Sequence, residues 1–272
     1  MKPINYPKLS NTDLGIFRIG GPGLANCMFF ASRAFVNSIK NKGYFIAPTW
    51  TKFSIGPYLR KENDKRIYSN LFKSRGLSGW RKILFIVLNK CRIVKSIKVD
   101  TLGDYFQSLI PYQVEIQNYF QSIINKKAIT EIDRCDVSKY IAIHVRLGDY
   151  TPQWRIPIEW YEGIVQNIIK ENPDQQFLLF SDGRDEELKP LTSIPNVQRV
   201  TFGNALADII AISRCKLLIA SDSTFSAWGA FLGNVHVVFN RRHFPPVFGD
   251  VNKEFVLGNK TDIPEPLKLL II

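Results

Sequence analysis

The amino-acid sequence predicts an α/β protein built on parallel sheets, and two observations support this prediction. From Lys139 onward, short apolar runs alternate with segments of helical spacing. These runs are apolar at consecutive positions, as expected for strands that helices cover on both faces of a sheet. A chain of 272 residues is long enough for one large domain or two compact domains.

The second half of the chain gives a regular succession of strands and helices. The predicted strands are 140–145, 177–180, 197–200, 216–220 and 235–239, and the helices between them are 157–170, 185–191, 204–214 and 223–232. In the first half, the pattern predicts a strand at 14–19, a glycine loop at 20–23, and helices at 24–39 and 107–127. The rest of 44–130 mixes aromatic, basic and turn-forming residues without a clear period.

Polar residues follow three of the predicted strands. They are His144, Arg146, Gly148 and Asp149, then Ser181, Asp182 and Gly183, then Ser221, Asp222, Ser223 and Thr224. Ligands of parallel sheets bind at the carboxyl ends of the strands. Hydroxyls at a helix N-terminus suit a phosphate, and the guanidinium of Arg146 is a bidentate partner for one. Each segment alone is equally typical of helix caps and turns, but together they favour a nucleotide diphosphate.

Other nucleotide and metal signatures are missing from the sequence. Gly21-x-Gly23 resembles part of a dinucleotide fingerprint, but the required acid about 20 residues later is absent, since Glu62 is the next acid after Asp13. No Gly-Lys-Ser/Thr follows, which excludes a P-loop. The four cysteines are widely spaced, the three histidines form no ligand pair, and no Asp-x-Asp occurs. The sequence therefore predicts reduced thiols and no metal site.

The net charge of +12 is concentrated in one segment. Between residues 52 and 98 there are 13 basic residues against Glu62 and Asp64, which gives +11, while the remainder of the chain is close to neutral. Such a segment indicates a polyanionic partner, either nucleic acid, an anionic membrane surface or a phosphate-bearing substrate. No RNA-binding or zinc-finger signature accompanies it, so a nucleic-acid-binding protein is the weaker alternative.

Part of this basic segment, 80–95, has helical spacing. Its apolar positions share one face, and these are Trp80, Ile83, Leu84, Val87, Cys91 and Val94. An apolar face flanked by basic residues is typical of a helix in the lipid headgroup region. The alternative is an ordinary surface helix whose apolar stripe, with Phe85 and Ile86, faces the core. No run in the sequence is long enough to span a bilayer, and the N-terminus lacks a secretory signal.

Four motifs together resemble glycosyltransferase family 11, the α-1,2-fucosyltransferases. His144 to Tyr150 resembles the family's H-x-R-x-G-D-Y, and Gly23 to Phe29 resembles its G-L-G-N-Q-M-F. Phe180 to Asp182 resembles its F-S-D block, and Cys215 to Ala230 resembles its C-K…S-S-F-S-W-W-G-A block. The motifs occur in the family's order. Three positions depart from it, namely Ala25, Cys27 and Ala227, which leaves another GDP-linked deoxysugar such as colitose as an alternative donor.

The resemblance implies a GT-B-like architecture, with two Rossmann-like domains facing a cleft and metal-independent, inverting transfer from GDP-β-L-fucose. It implies an acceptor-side domain at 1–135 and a GDP-sugar-binding domain at 136–272. Donor binding is assigned to Arg146, His144, Asp182, Asp208, Ser223, Thr224 and Ser226, with Asp208 and His144 on the guanine. Gly23 and Asn26 are assigned to the sugar and acceptor side.

Asp149 is the candidate general base, and a structural acceptor for Arg146 or loop N–H groups is the alternative role. The resemblance to bacterial members implies a cytoplasmic enzyme, peripheral on the inner face of the plasma membrane. The resemblance also implies that the acceptor is a surface-polysaccharide precursor carried on a lipid diphosphate, and that the reacting hydroxyl is O2 of galactose. The basic segment 52–98 is then assigned to the anionic membrane surface or the lipid diphosphate rather than to the donor.

Overall fold

The computed structural model describes residues 2–59, 65–148, 150–241 and 243–271. It divides into two compact units, Met1–Ile129 and Thr130–Ile272. The sequence-based boundary, between residues 135 and 136, lies close to this division. Both units contain parallel strands with helices between them, so the predicted α/β class is confirmed.

The first unit is built on short strands. They are β1 (Ile4–Pro7), β2 (Thr12–Asp13), β3 (Arg18–Ile19), β4 (Tyr44–Phe45), β5 (Lys52–Phe53) and β6 (Ile97–Val99). Its helices are α1 (Leu24–Lys40), α2 (Gly56–Leu59), α3 (Gly79–Lys90) and α4 (Gln113–Ile123). One sheet has the parallel order β4-β1-β6, and a second has the order β2-β3-β5.

Helix α1 packs on the β4-β1-β6 sheet because its apolar residues recur at helical spacing. Phe29 lies 4.5 Å, centroid to centroid, from Phe106, and Phe35 stacks on Tyr119 of α4 at 4.5 Å. These aromatic contacts build the core between α1 and the segments that follow β6. The predicted helix at 24–39 is therefore confirmed.

Two predictions in this unit are only partly confirmed. Of the expected strand at 14–19, only Arg18 and Ile19 form a strand, which is β3, whereas 14–17 form a tight turn between β2 and β3 in which Gly15 has a positive φ of +85°. The Asp13 carboxylate accepts a hydrogen bond from the Gly15 N–H at 2.7 Å, which forms this turn. The expected helix at 107–127 is an α-helix only over Gln113–Ile123, preceded by the 3-10 turn Ile110–Tyr112.

The second unit contains one sheet. Its strands are β7 (Ile141–Val145), β8 (Phe177–Ser181), β9 (Val197–Arg199), β10 (Leu217–Ala220), β11 (His236–Phe239) and β12 (Glu254–Val256). Its helices are α5 (Thr130–Asp133), α6 (Ile158–Glu171), α7 (Asp185–Thr192), α8 (Ala205–Ile212), α9 (Thr224–Gly233) and α10 (Glu265–Ile271). The predicted elements of this half are confirmed to within a few residues, whereas β12 and α10 had no prediction.

The order of this sheet is β9-β8-β7-β10-β11-β12, and neighbouring strands are parallel. From β7 the chain moves outward to β9, returns through α8 to β10 on the other side of β7, and then moves outward again. This is the strand order of a Rossmann-type sheet, whose direction of winding reverses between β7 and β10. In such sheets ligands bind in the crevice at that reversal, outside the carboxyl ends of the strands.

Helices α8 and α9 pack closely because glycines of α9 face α8. A Cβ at Gly229 would lie 2.4 Å from Cγ2 of Ile212, and one at Gly233 would lie 1.9 Å from the carbonyl oxygen of Ser213. Both separations are shorter than any side chain tolerates, so the close approach of the two helices requires glycine at both positions.

Among the described residues, no helix has both the length and the apolar character needed to cross a membrane.

Candidate functional site

Three polar segments meet at the carboxyl edge of the second unit's sheet. Arg146 follows β7, Asp182 follows β8, and the serines from Ser221 follow β10. Strands β8, β7 and β10 are direct neighbours, so residues far apart in sequence lie side by side at the reversal point. The sequence analysis predicted this convergence from the strand ends, and the structure confirms it.

Asp182 organises the loop after β7. One of its carboxylate oxygens accepts hydrogen bonds from the N–H groups of Leu147, at 2.9 Å, and Gly148, at 3.1 Å. The other forms an ion pair with Nη1 of Arg146 at 2.6 Å. The guanidinium of Arg146 also lies 5.7 Å from the ring centroid of Tyr150, within cation–π range. Asp182 therefore determines the direction of the Arg146 side chain.

A buried cluster of hydroxyls surrounds His144 next to this loop. Its Nδ1 lies 2.6 Å from Oγ of Ser226 and 2.7 Å from Oγ of Ser221. Ser221 donates to Oγ of Ser223 at 3.1 Å. The imidazole stacks on Phe225 with 4.8 Å between centroids. The cluster joins the end of β7 to the start of α9.

Burial sets the protonation of His144. Desolvation lowers the pKa of His144 to about 3, the Asp182 carboxylate opposes this shift, and the positive charge of Arg146 adds to it. His144 is therefore neutral throughout the physiological range. The neutral imidazole therefore adds no positive charge to the loop after β7, and the positive charge there is that of Arg146.

The start of α9 faces the same edge. Ser223 is its N-cap and accepts a hydrogen bond from the N–H of Ser226 at 3.3 Å. Thr224 is the first residue of the helix and is partly exposed. The first N–H groups of a helix lack intrahelical partners and carry the positive end of its dipole. Together with Arg146, they make this edge suitable for binding an anion.

Asp208 lies on α8, which begins after β9 at the same edge of the sheet. Its carboxylate accepts a hydrogen bond from the N–H of Phe202 at 2.7 Å and one from the hydroxyl of Thr201 at 3.3 Å. These bonds hold the turn that leads into α8. The predicted role of Asp208 in reading guanine stays a prediction, and the structure adds a local structural role.

The glycine loop of the first unit borders a cavity of about 550 Å³. The cavity lies at the carboxyl ends of β1 and β6, and Gly21, Pro22 and Asn26 contribute to its wall. Gly23 is the N-cap residue of α1, beside these lining residues. The predicted pair Gly23 and Asn26 is therefore close to a cavity of a size that suits a small sugar.

A buried arginine that the sequence analysis missed holds this loop. The guanidinium of Arg18 donates to the carbonyl oxygens of Thr49 at 3.1 Å, of Pro22 at 3.3 Å and of Leu9 at 3.4 Å. It also donates to Sγ of Cys27 at 3.1 Å. Arg18 lies in the segment assigned to a plain strand, where one arginine among apolar residues gave no signal of burial.

Asp149, the candidate base, lies outside the described residues. Tyr150 and Ser221 belong to motifs quoted above but had no assigned role. His243, beyond β11, was also missed, and its N–H donates to the carboxylate of Asp222 at 2.5 Å. Its sequence offered no signal, because the contact depends on β11 lying beside β10.

Within the described part of the chain, no group of three or more His, Cys, Asp or Glu side chains is placed to hold a metal ion. The partly buried Arg146 and the start of α9 are positively polarised groups at the reversal point. Metal independence itself stays a prediction.

A Rossmann-type sheet with an arginine and a serine-capped helix at its reversal point defines a class of enzyme that handles anionic, phosphate-bearing ligands. The model of Glycosyl transferase family 11 matches residues 102–239, which is half of the chain, and the chain belongs to this family. The resemblance drawn from the four motifs is thereby confirmed, since the family is one of glycosyltransferases.

One relative is the O-antigen biosynthesis glycosyltransferase WbnK of Escherichia coli, 25% identical over 142 residues. The alignment covers 48% of this chain and 47% of that protein, so the chain spans about half the length of this curated relative. Among solved structures, NodZ alpha-1,6-fucosyltransferase soaked with GDP-fucose has a TM-score of 0.49 and 13% identity, covering 79% of this chain and 91% of NodZ.

The ADP-heptose lps heptosyltransferase II of E. coli has a TM-score of 0.38 and 19% identity, covering 53% of this chain and 48% of that protein. Both TM-scores are below 0.5, a level of likeness that defines neither the activity nor the ligand of this chain.

Proposed function

We propose that the protein transfers L-fucose from GDP-β-L-fucose to a hydroxyl group of a surface-polysaccharide precursor, with inversion and without a metal ion. The observation that supports this most is that Arg146 and the start of α9 both lie at the reversal point of the sheet. Membership of family 11 and the four motifs favour a GDP-linked sugar as the donor.

In this proposal the second unit binds GDP. Arg146 and the positive end of the α9 dipole, with Ser223, Thr224 and Ser226, contact the diphosphate. As the bond between C1 of fucose and the β-phosphate oxygen breaks, negative charge grows on the leaving GDP. A preoriented guanidinium and helix dipole stabilise that charge in the transition state, which is the task a metal performs in other transferases.

The acceptor oxygen attacks C1 from the opposite face, and its proton passes to a carboxylate, for which Asp149 is our candidate. One C–O bond forms and one breaks, and GDP leaves with the electron pair of the broken bond. Asp182 is proposed to act on the donor through Arg146, because its carboxylate is engaged with that side chain and with two backbone N–H groups.

The cavity beside Asn26 is the proposed place for the acceptor sugar, with O2 of galactose as the reacting hydroxyl. The E. coli relative WbnK, an O-antigen biosynthesis glycosyltransferase, supports an O-antigen precursor as the acceptor class. In this proposal the precursor is carried on a lipid diphosphate, and the enzyme acts at the cytoplasmic face of the membrane.

A colitose donor is the alternative, and it rested on departures from the family motifs at Ala25, Cys27 and Ala227. All three side chains are buried within helices α1 and α9, and Cys27 packs against Arg18. Because they face the interior of their own units, these departures give no direct contact to a donor sugar. This burial removes the argument for colitose that these departures provided.

Product analysis with Arg146→Ala tests the proposal. The wild-type protein is expected to release GDP and fucosylate β-galactoside-terminated acceptors, whereas Arg146→Ala is expected to lose transfer by at least 100-fold, the range of one transition-state donor. Arg134→Ala, at an exposed position of the same unit, is the matched control. Near-normal turnover by Arg146→Ala, at unchanged circular dichroism, would contradict the assignment.

Two further measurements separate the parts of the proposal. Thermal-shift titrations with GDP, UDP and dTDP test the nucleotide, and only GDP is expected to stabilise the wild-type protein strongly. Asp149→Asn tests the base, with kcat expected to fall while GDP affinity is retained. If Asp149→Asn retains kcat, the residue is structural and another group accepts the proton.

A further inference from the structure

Helix α3 presents an unusual surface. Residues spaced three, four and seven apart share one face of a helix, and on α3 that face carries Trp80, Ile83, Leu84 and Val87. All four are exposed, with 69% of Trp80 and 51% of Val87 accessible to solvent. We call these four side chains the apolar face of α3. Exposed apolar residues clustered in this way mark an interaction site.

The opposite face of α3 is the one that packs on the sheet. Lys82, Phe85 and Ile86 are buried, and Phe85 meets Tyr6 of β1 edge to face, with 5.5 Å between centroids. The alternative is therefore correct for Phe85 and Ile86, which face the core, and wrong for the stripe itself, which is exposed. Burial lowers the pKa of Lys82 to about 8, an effect that the nearby carboxylate of Asp13 opposes. The buried contacts hold α3 in one orientation.

The turn between β2 and β3 extends the apolar face. A Cβ at Gly15 would lie 2.9 Å from Cγ1 of Ile83, so the turn lies directly against α3. On either side of this glycine, Leu14 and Ile16 are exposed, the latter by 72%. Two more large apolar side chains thus join the patch at the point where the chain is pressed against the helix.

Basic side chains border the apolar face. At 100° per residue, Arg81 and Lys90 lie on opposite sides of it, and both are exposed. Arg92 and Lys95 follow the helix and are exposed as well. The guanidinium of Arg81 lies 5.6 Å from the ring centroid of Trp80. Apolar side chains in the middle and cations at the rim match the two layers of an anionic bilayer surface, acyl chains and phosphate headgroups.

We propose that the apolar face of α3, together with Leu14 and Ile16, docks onto a membrane that contains anionic phospholipid. The basic side chains on both sides of the patch favour an anionic lipid surface as the occupant, and they oppose contact with a second copy of this chain, which would bring like charges together. The inference deepens the proposed function and rests on it for the lipid-linked acceptor.

Co-sedimentation with vesicles of phosphatidylcholine, with or without phosphatidylglycerol, tests the docking face. The wild-type protein is expected to sediment with the anionic vesicles and hardly at all with pure phosphatidylcholine. Arg81→Gln combined with Lys90→Gln is expected to weaken binding by about 25-fold, since each basic residue near such a surface contributes about fivefold. Trp80→Ser combined with Val87→Ser is expected to abolish it.

Matched controls use exposed residues of the second unit. Val251→Ser combined with Lys139→Glu changes one apolar and one basic side chain, both exposed, and is expected to leave vesicle binding unchanged. Trp80 also gives a direct signal, because its fluorescence shifts to shorter wavelength when the indole enters lipid. That shift is expected in the wild-type protein and is expected to be lost in Trp80→Phe.

Three outcomes would overturn the inference. They are equal binding by the wild-type protein and the Trp80 and Val87 double variant, equal binding to neutral vesicles, and a dimer that this double variant converts to a monomer. Transfer to a soluble β-galactoside is expected to be the same in all α3 variants. Failure of soluble transfer in the wild-type protein would refute the proposed function alone, since vesicle binding is measured without a donor.

Discussion

The buried, neutral His144 makes the stability of the protein depend on pH. Its pKa is lowered to about 3 in the folded protein, against about 6.5 in an unfolded chain. Below pH 6.5 the unfolded chain therefore binds a proton that the folded protein does not bind. The free energy of unfolding then falls as the pH falls, by about 1.4 kcal/mol per pH unit, down to about pH 3.

Between pH 7 and pH 5 this amounts to about 2 kcal/mol, because the unfolded histidine is mostly neutral at pH 7 and almost fully charged at pH 5. The size of the effect over this interval depends on the unfolded pKa alone, since the folded value lies well below pH 5. The assay is urea denaturation followed by circular dichroism at pH 7, 6 and 5, for the wild-type protein and His144→Asn.

His144→Asn is expected to be less stable than the wild-type protein at pH 7, because it loses ring contacts with Phe225 and disturbs the hydroxyl cluster. Its loss of stability between pH 7 and pH 5 is expected to be smaller by about 2 kcal/mol. His236→Gln is the comparison, because burial also lowers the pKa of His236 but this side chain is only partly buried. An equal pH dependence in His144→Asn and the wild-type protein would refute this reasoning.

Three further predictions concern local structure. Ser223→Ala is expected to lower stability by about 1 kcal/mol through loss of the α9 cap, measured by urea denaturation, and an unchanged midpoint would contradict the capping role. Gly21→Ala is expected to cost more than Gly20→Ala in thermal denaturation, because both have positive φ but only Gly21 has a carbonyl oxygen 2.3 Å from the added Cβ. Asp182→Ala is expected to cost about 1–3 kcal/mol by leaving its hydrogen-bond donors unpaired, with partial recovery in Asp182→Asn, which retains an acceptor oxygen. Equal losses for the two Asp182 variants would indicate that only the charge matters.

The second half of the chain was predictable because its strands are buried on both faces. A run such as Ile141–Val145 is apolar at every position except His144, and it is bounded by polar residues. Such runs are independent of register, so length and composition are enough to identify them. The strands of the first half are two to four residues long, which is too short for a period to show.

The candidate site was predictable in its position but not in its internal contacts. Strand ends place Arg146 and Ser223 at one edge by topology alone. That Asp182 pairs with Arg146, or that Arg18 donates to five partners around the glycine loop, depends on side-chain geometry in three dimensions. The orientation of α3 was undecided for the same reason, because both of its faces carry large apolar residues.

The contact of α8 with α9 through Gly229 and Gly233 has a consequence for ligand selection. Helix α8, which carries Asp208, and helix α9, which begins after Ser223, are packed with their backbones in close contact. A shift of one helix therefore requires a shift of the other. The distance between Asp208 and the start of α9 is thereby fixed, and a ligand that contacts both must match this distance in length. A larger residue at Gly233 would change this distance without changing the chemistry of Asp208 or of the start of α9.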